Sequence, residues 1–346
     1  MSSDPNLSSP SIPVSSRKWQ VLIGLILSLG SLYLAFQGVP LSQILDVIPD
    51  LLPVYIALAV LASIATLLAK AVRWRLFFNR RPPTFHRSFA IQTIGMFVNS
   101  FAPARLGDLV RAYLLGEEND HSKVFVLGTI VVEKVFDMIF LVISMVLLLP
   151  QVVFPNWVSQ PSEVTAILLV IVILVISLIA WKKEQTLALI DRIDRRLPTR
   201  WNDWIFRQLK NLLSSLECIR NFQQLTGIIL WSAIIWLLGF LTNILVFWGM
   251  HLPLSFLPAI FLLVVLQVGV AVPSSPGRIG VFHYLTVLAL SVFAVEKGPA
   301  LSCGIILHII VYLPLTLLGA FFIWDEKMSW EKIAKFILPF STRKKS

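Results

Sequence analysis

Apolar stretches long enough to cross a bilayer alternate with short hydrophilic connections along this 346-residue chain, and that alternation leaves few folds open. A helix needs about 20 apolar residues to cross a hydrocarbon core of roughly 30 Å, because each residue rises only ~1.5 Å. Runs of that kind lie at about 19–37, 52–72, 124–149, 164–181, 226–248 and 300–323. In lipid, backbone N–H and C=O groups have to be satisfied within the segment, so such continuous runs imply helices. With 57% hydrophobic and 14% charged residues, the longest hydrophilic stretch is a basic loop of about 40 residues, 182–222, and no soluble domain is expected.

The net charge of +10 would point to nucleic acid in a soluble chain. Here the basic residues sit between apolar runs, which favours positive-inside topology and anionic lipid over nucleic acid. One set of connections holds Arg17 and Lys18; Arg73, Arg75, Arg80, Arg81 and Arg87; nine Lys or Arg from Lys182 to Arg220; and six from Lys327 to Lys345. The alternate set, 38–51, 150–163, 249–255 and 295–299, holds only Lys297. Both termini are therefore expected in the cytoplasm, with a plasma-membrane location. Trp19, Trp74, Trp181, Trp248 and Trp324 fall at expected span ends, where an amphipathic ring favours the headgroup layer. Residues 1–18 read as a disordered tail, 19–325 as the membrane domain and 326–346 as a basic tail. The first run is long for a signal peptide and lacks a small-x-small cleavage site, so it reads as a retained span.

Two segments are not ordinary spans. In 89–116 the apolar part, Phe89 to Phe101, makes only about 20 Å of helix. In 256–294 the sequence PSSPGRIG (273–280) interrupts two short apolar halves. Each lies between connections of one sidedness, so each reads as a helix–break–helix hairpin that enters and leaves by one face. The alternative, a pair of thin tilted spans in each case, leaves the sidedness unchanged. The fold expected is all-α and polytopic, with about six full spans and two re-entrant hairpins.

The breaks resemble each other. Pro103-Ala-Arg105-Leu-Gly107 matches Pro276-Gly277-Arg278-Ile-Gly280, both P-x-R-(aliphatic)-G. Three full spans separate them, and an odd number reverses orientation. That is the pattern of an inverted-topology repeat, whose interrupted helices meet near the midplane and form a substrate site. Pro103, Gly107, Pro273, Pro276, Gly277 and Gly280 are the expected structural breaks.

Charges inside a membrane are costly and mark pathways. Arg105, Asp108 and Arg111 precede Glu133, Lys134 and Asp137, and Glu133 and Asp137 share a helix face at i,i+4. Their arrangement fits a structural ion-pair network between hairpin and helix, or handling of a substrate or proton; the two roles are compatible. Arg278, beside half-helix N-termini, suits a phosphate. His283 reads as a hydrogen-bonded histidine or, alternatively, as a group that titrates near neutrality, and Asn99 adds a polar group; His308, Gln92 and Gln267 are lesser ones. Lys70 is expected to snorkel. In 182–222 Ile205, Leu209, Leu212, Leu213, Leu216 and Ile219 line one face, as in an interfacial amphipathic helix. No G-x-x-x-x-G-K-[ST], H-E-x-x-H or Cys/His metal spacing occurs, and the cysteines are only Cys218 and Cys303, so no cofactor, metal or disulfide framework is expected.

The motifs LLAKAVRWRLFF (67–78), NSFAPARLGDLVRAYLL (99–115), VVEKVFDMI (131–139) and PSSPGRIGVFHY (273–284) resemble the membrane region of lysylphosphatidylglycerol synthases and their stand-alone flippase-like relatives. The resemblance covers most of 19–325. It falls on Asn99, Pro103, Arg105, Gly107, Asp108 and Arg111, on Glu133 and Asp137, and on Pro273, Gly277, Gly280 and Phe282. The chain departs from the pattern at Lys134, where Arg is usual, at His283, where an acid is usual, and at Arg278. Only about 20 residues follow the last run, so the resemblance implies lipid translocation without aminoacylation. The reading is a flippase-like transporter that is not an enzyme. Its partner is a membrane lipid whose anionic or phosphate-bearing headgroup is held by Asn99, Arg105, Asp108, Arg111, Glu133, Asp137, Arg278 and His283. The alternatives are a membrane-embedded transferase acting on a lipid-linked substrate and an accessory subunit docked through 182–222.

Overall fold

Apolar runs with few interior breakers fold as helix wherever they are described, and no strand occurs among the described residues. The computed structural model describes residues 14–47, 49–79, 81–102, 105–116, 121–148, 150–152, 182, 184–186, 192, 202–269 and 275–325. The expected span 164–181, the tail 326–346, residues 1–13, and Pro103 and Pro273 lie outside them. In chain order the helices are α1 (Val14–Phe36), α2 (Leu41–Leu45), α3 (Pro53–Arg75), α4 (Phe85–Phe101), α5 (Leu106–Gly116), α6 (Lys123–Leu148), α7 (Asn202–Ser214), α8 (Glu217–Arg220), α9 (Phe222–Gly249), α10 (Phe256–Gly269), α11 (Val281–Ser291) and α12 (Lys297–Asp325). Helix α1 thus starts inside the expected tail.

Three of these, α3, α9 and α12, are long and apolar enough to cross a membrane. Helix α6 has the length, but Glu133, Lys134 and Asp137 interrupt its apolar surface. The two expected breaks are present. Helices α4 and α5, of 17 and 11 residues, are about 25 and 16 Å long, and α10 and α11, of 14 and 11, about 21 and 16 Å. Each is shorter than a hydrocarbon core.

Both pairs fold back on themselves. Asn99 meets Gly107 and Asp108 while Gly95 meets Arg111, so numbers fall on one helix as they rise on the other. Phe261 likewise packs on Phe293, with ring centroids 5.5 Å apart, and Gly269 on Leu285. Without a hydrophobic force between helices in lipid, small residues and interhelical hydrogen bonds supply the cohesion. Gly107 is the tightest point, since a Cβ there would strike the Gly95 carbonyl oxygen. The second break holds a 3₁₀ turn, Pro276–Arg278, and Gly280 (φ +92°), which lies on the Ser28 carbonyl of α1. Ser28 Oγ also accepts the Ser275 N–H at 2.6 Å.

Around the hairpins, α3 packs along α9, α12 packs on α11, α4 and α3, and the 3₁₀ turn reaches α4. Both breaks thus come to one region. Helix α7 is docked on α6, where Gly128 receives Ser215 and Leu212, and Phe206 and Leu213 are buried while Leu209 and Leu212 stay exposed. Trp74 departs from its expected place in the headgroup layer. It is fully buried with Phe77 and Phe78, and its Nε1–H donates to Thr129 Oγ1 at 3.2 Å. A residue at a span end can turn inward when the next helix offers an acceptor. Trp248 and Trp324 are exposed, as expected.

Two measurements test this packing. Gly107→Ala should lose about 2–3 kcal/mol of stability through backbone overpacking. Gly30→Ala, with nothing within 4 Å, should be neutral or stabilise α1 by up to about 1 kcal/mol. Thermal unfolding in detergent distinguishes them, and equal shifts would contradict the hairpin geometry. Burial pushes the Cys218 thiol of α8 up to about 12. At pH 8 the folded protein should therefore leave Cys218 unlabelled by a maleimide that reacts once the chain is unfolded in SDS; rapid labelling would mean that α8 is not docked.

Candidate functional site

Helices α3, α5 and α6 each bring charge to the same buried place. Arg73 stands in the last turn of α3, Arg111 in the middle of α5, and Glu133 and Asp137 on one face of α6. Arg111 donates to Glu133 Oε2 at 2.7 Å, and Arg73 to Asp137 Oδ1 at 2.7 Å. A second nitrogen of Arg73 lies 3.6 Å from Glu133 Oε1, and Arg73 also donates to Ser232 Oγ of α9 at 3.0 Å. Arg73 is fully buried and Glu133 nearly so. At about 4 Å and an effective dielectric near 20 such a pair attracts by roughly 4 kcal/mol. An unpaired buried charge costs several kcal/mol, so the network holds as a unit.

Asn99 joins the hairpin arms. Its Oδ1 accepts the Gly107 N–H at 2.7 Å, satisfying a first-turn donor of α5, and its Nδ2 donates to Asp108 Oδ1 at 3.1 Å. Asp108 is 3.9 Å from Arg111. The Arg111 guanidinium lies 4.3 Å from the Trp74 ring centroid, a cation–π contact worth about 2 kcal/mol when desolvated.

This network forms one wall of a cavity of about 320 Å³ between the two breaks. Arg105 of the first break and Arg278 of the second both line it. Both are non-glycine residues in left-handed backbone, at φ +53° and +57°. Lys70 of α3 and Lys134 of α6 line it too. Lys70 is half-buried against the cavity, where snorkelling to headgroups was expected. None of these four cations has a carboxylate within ion-pair distance among the described residues. Tyr312 of α12 presents its hydroxyl to Arg278. Gln92 of α4, only 2% exposed, has its Oε1 without a hydrogen-bond partner.

The structure therefore gathers Asn99, Arg105, Asp108, Arg111, Glu133, Asp137 and Arg278 around one space. His283 is not among the lining residues. It is buried and caps α11, its Nδ1 accepting the Gly280 N–H at 3.3 Å, with its ring 5.0 Å from that of His308. His308 Nε2 bonds the Gly277 carbonyl at 2.7 Å and stacks on Tyr312 at 4.4 Å. Pro276, Gly277 and Gly280 shape the second break, and Gly107 the first.

Arg73 is the residue the sequence reading misplaced, as a cytoplasmic loop cation. The cause is the boundary set at residue 72, where apolar character fades. The available signal was Lys70 and Arg73 at i,i+3, hence one face, with helix-compatible sequence continuing to Phe78.

Glu133→Gln should be the most damaging single change here. It leaves Arg73 and Arg111 short of a counter-charge and should cost about 3–5 kcal/mol. Glu133→Gln/Arg111→Gln should recover part of that loss in a double-mutant cycle of thermal stabilities. Strict additivity would mean that the pair is not coupled.

A family model described as the lysylphosphatidylglycerol synthase transmembrane region matches residues 21–319. A UPF0104 membrane protein of Methanocaldococcus jannaschii is 25% identical over 65% of this chain and 92% of its own length. One from Methanothermobacter thermautotrophicus is 26% identical over 80% of this chain and 86% of its own. Another from Pyrococcus horikoshii is 26% identical over 79% and 87%. No solved structure matches the chain. With the match running across nearly every described helix, the chain belongs to the family defined by the transmembrane region of lysylphosphatidylglycerol synthases.

Proposed function

We propose that this protein is a flippase-like transporter, moving a phospholipid or lipid-linked molecule across the cytoplasmic membrane by an anionic, phosphate-bearing headgroup. The observation that carries this reading is the charge balance of the cavity. Four cations without ion-pair partners among the described residues face it, while the carboxylates beside them are already engaged. A site so arranged attracts an anion. The walls are otherwise largely apolar, which suits a ligand whose tail stays in lipid.

Arg105, Arg111 and Arg278 would hold the phosphate, Asn99 and Asp108 would fix the break, and Glu133 would keep Arg111 in place while Asp137 holds Arg73 behind it. The shared P-x-R-(aliphatic)-G and the matching left-handed arginines support an inverted repeat. Rocking of one hairpin-bearing half against the other would then alternate access. The distribution of basic residues supports cytoplasmic termini.

The test is loss of dithionite-accessible fluorescence from NBD-labelled anionic lipids in proteoliposomes. Transfer should exceed that in empty vesicles by at least about tenfold, and Arg105→Gln should slow it about ten- to a hundredfold, as expected for losing a charged hydrogen bond. No acceleration across a panel of native lipids would refute transport. Conversion of the lipid to a new product would point instead to a membrane-embedded transferase.

A further inference from the structure

The cavity is more selective than a general anion site. Six cations surround it or stand directly behind its wall: Lys70, Arg73, Arg105, Arg111, Lys134 and Arg278. Three carboxylates, Asp108, Glu133 and Asp137, answer them, a surplus of three positive charges among the described residues. Arg73 and Arg111 take up the carboxylates on α6, and Asp108 is held by Asn99 and faces Arg111. The surplus is carried by Lys70, Arg105, Lys134 and Arg278. These come from four separate elements, α3, the first break, α6 and the second break, and all four line the one space.

Further observations point to a ligand there. Arg105 and Arg278 both hold left-handed backbone that a non-glycine residue adopts at a cost, and such conformations gather at binding sites. Gln92 Oε1 and Arg111 Nε, on side chains at least nine-tenths buried, have no hydrogen-bond partner. Both residues line the cavity, so these unmet polar groups lie within its wall.

We infer that this cavity is built for a phosphate carrying two or more negative charges, a phosphomonoester or diphosphate terminus, and that it discriminates against zwitterionic and cation-bearing headgroups. This deepens the transport reading, on which only its use in translocation rests. A phosphodiester brings a single charge and leaves most of the surplus uncompensated in a poorly solvated space. A monoester brings close to two charges at neutral pH and three terminal oxygens. A headgroup ammonium would meet unpaired cations instead of an unengaged carboxylate.

The test uses the full chain and four acyl-NBD lipids: phosphatidic acid, phosphatidylglycerol, phosphatidylethanolamine and a net-cationic ethyl-capped phosphatidylcholine. Binding in detergent and transfer in phosphatidylcholine liposomes are measured separately. Phosphatidic acid should bind at least about tenfold more tightly than phosphatidylglycerol, and more tightly still than the other two. Arg278→Gln and Lys134→Gln should each bring the first ratio towards unity, and Arg278→Lys should preserve it. Displacement of phosphatidic acid by inorganic pyrophosphate would show that the phosphate alone is read. Resistance to pyrophosphate, with the lipid preference intact, would show that the lipid anchor is also needed; both uphold the charge class. Equal or tighter binding of phosphatidylglycerol or phosphatidylethanolamine overturns the inference, even if all lipids are moved. Selective binding without movement of any lipid upholds it and removes the transport reading instead.

Discussion

Two arginines sharing two carboxylates decide how this bundle assembles. Arg73, Arg111, Glu133 and Asp137 sit on three helices that otherwise meet largely through apolar surface. None of these charges is tolerable facing hydrocarbon, and each pair removes the penalty of both partners. The ion pairs therefore fix the rotation of α3, α5 and α6 about their axes as well as their proximity. Trp74 and Ser232 extend the same constraint, one roofing Arg111 and the other tying Arg73 to α9.

Small residues do the complementary work. The hairpin α4–α5 closes because Gly95 and Gly107 let two backbones approach where a side chain would collide. Asn99 then satisfies a donor at the buried start of α5 and holds Asp108 with the same side chain. At the other break Gly280 fits beneath the Ser28 carbonyl, while His283 and His308 satisfy backbone groups that helix alone would leave open. Non-helical backbone within a membrane is stable only when buried in protein or facing a wet cavity, and here the breaks pack on neighbouring helices and border the cavity. The breaks place Arg105 and Arg278 at one space.

The parts of the site legible in the sequence were those obeying local rules. Glu133 and Asp137 were recognisable as a pair because i,i+4 spacing puts them on one face of an apolar helix. The breaks were recognisable because Pro and Gly interrupt runs too short to span. Arg73 and Trp74 were not, because hydropathy fades near the end of α3 while the helix itself continues to Arg75. His283 reads from sequence as a hydrogen-bonded histidine or a titratable group beside Arg278, and the sequence does not name its partner. Only the turn of the chain at Gly280 gives its ring a backbone donor and removes it from the cavity lining.

The sequence by itself determined a helical membrane protein, two interrupted hairpin segments and the charges that had to be buried together. Those follow from period, length and the cost of charge in hydrocarbon, all of which act within one segment. Tertiary structure decided which cations are neutralised and which remain facing the cavity. Lys70, Arg73, Arg105, Arg111, Lys134 and Arg278 are alike as residue types. Among the described residues Arg73 and Arg111 reach carboxylates on α6 and the other four do not. That division depends on distances between helices remote in sequence, which no local pattern encodes.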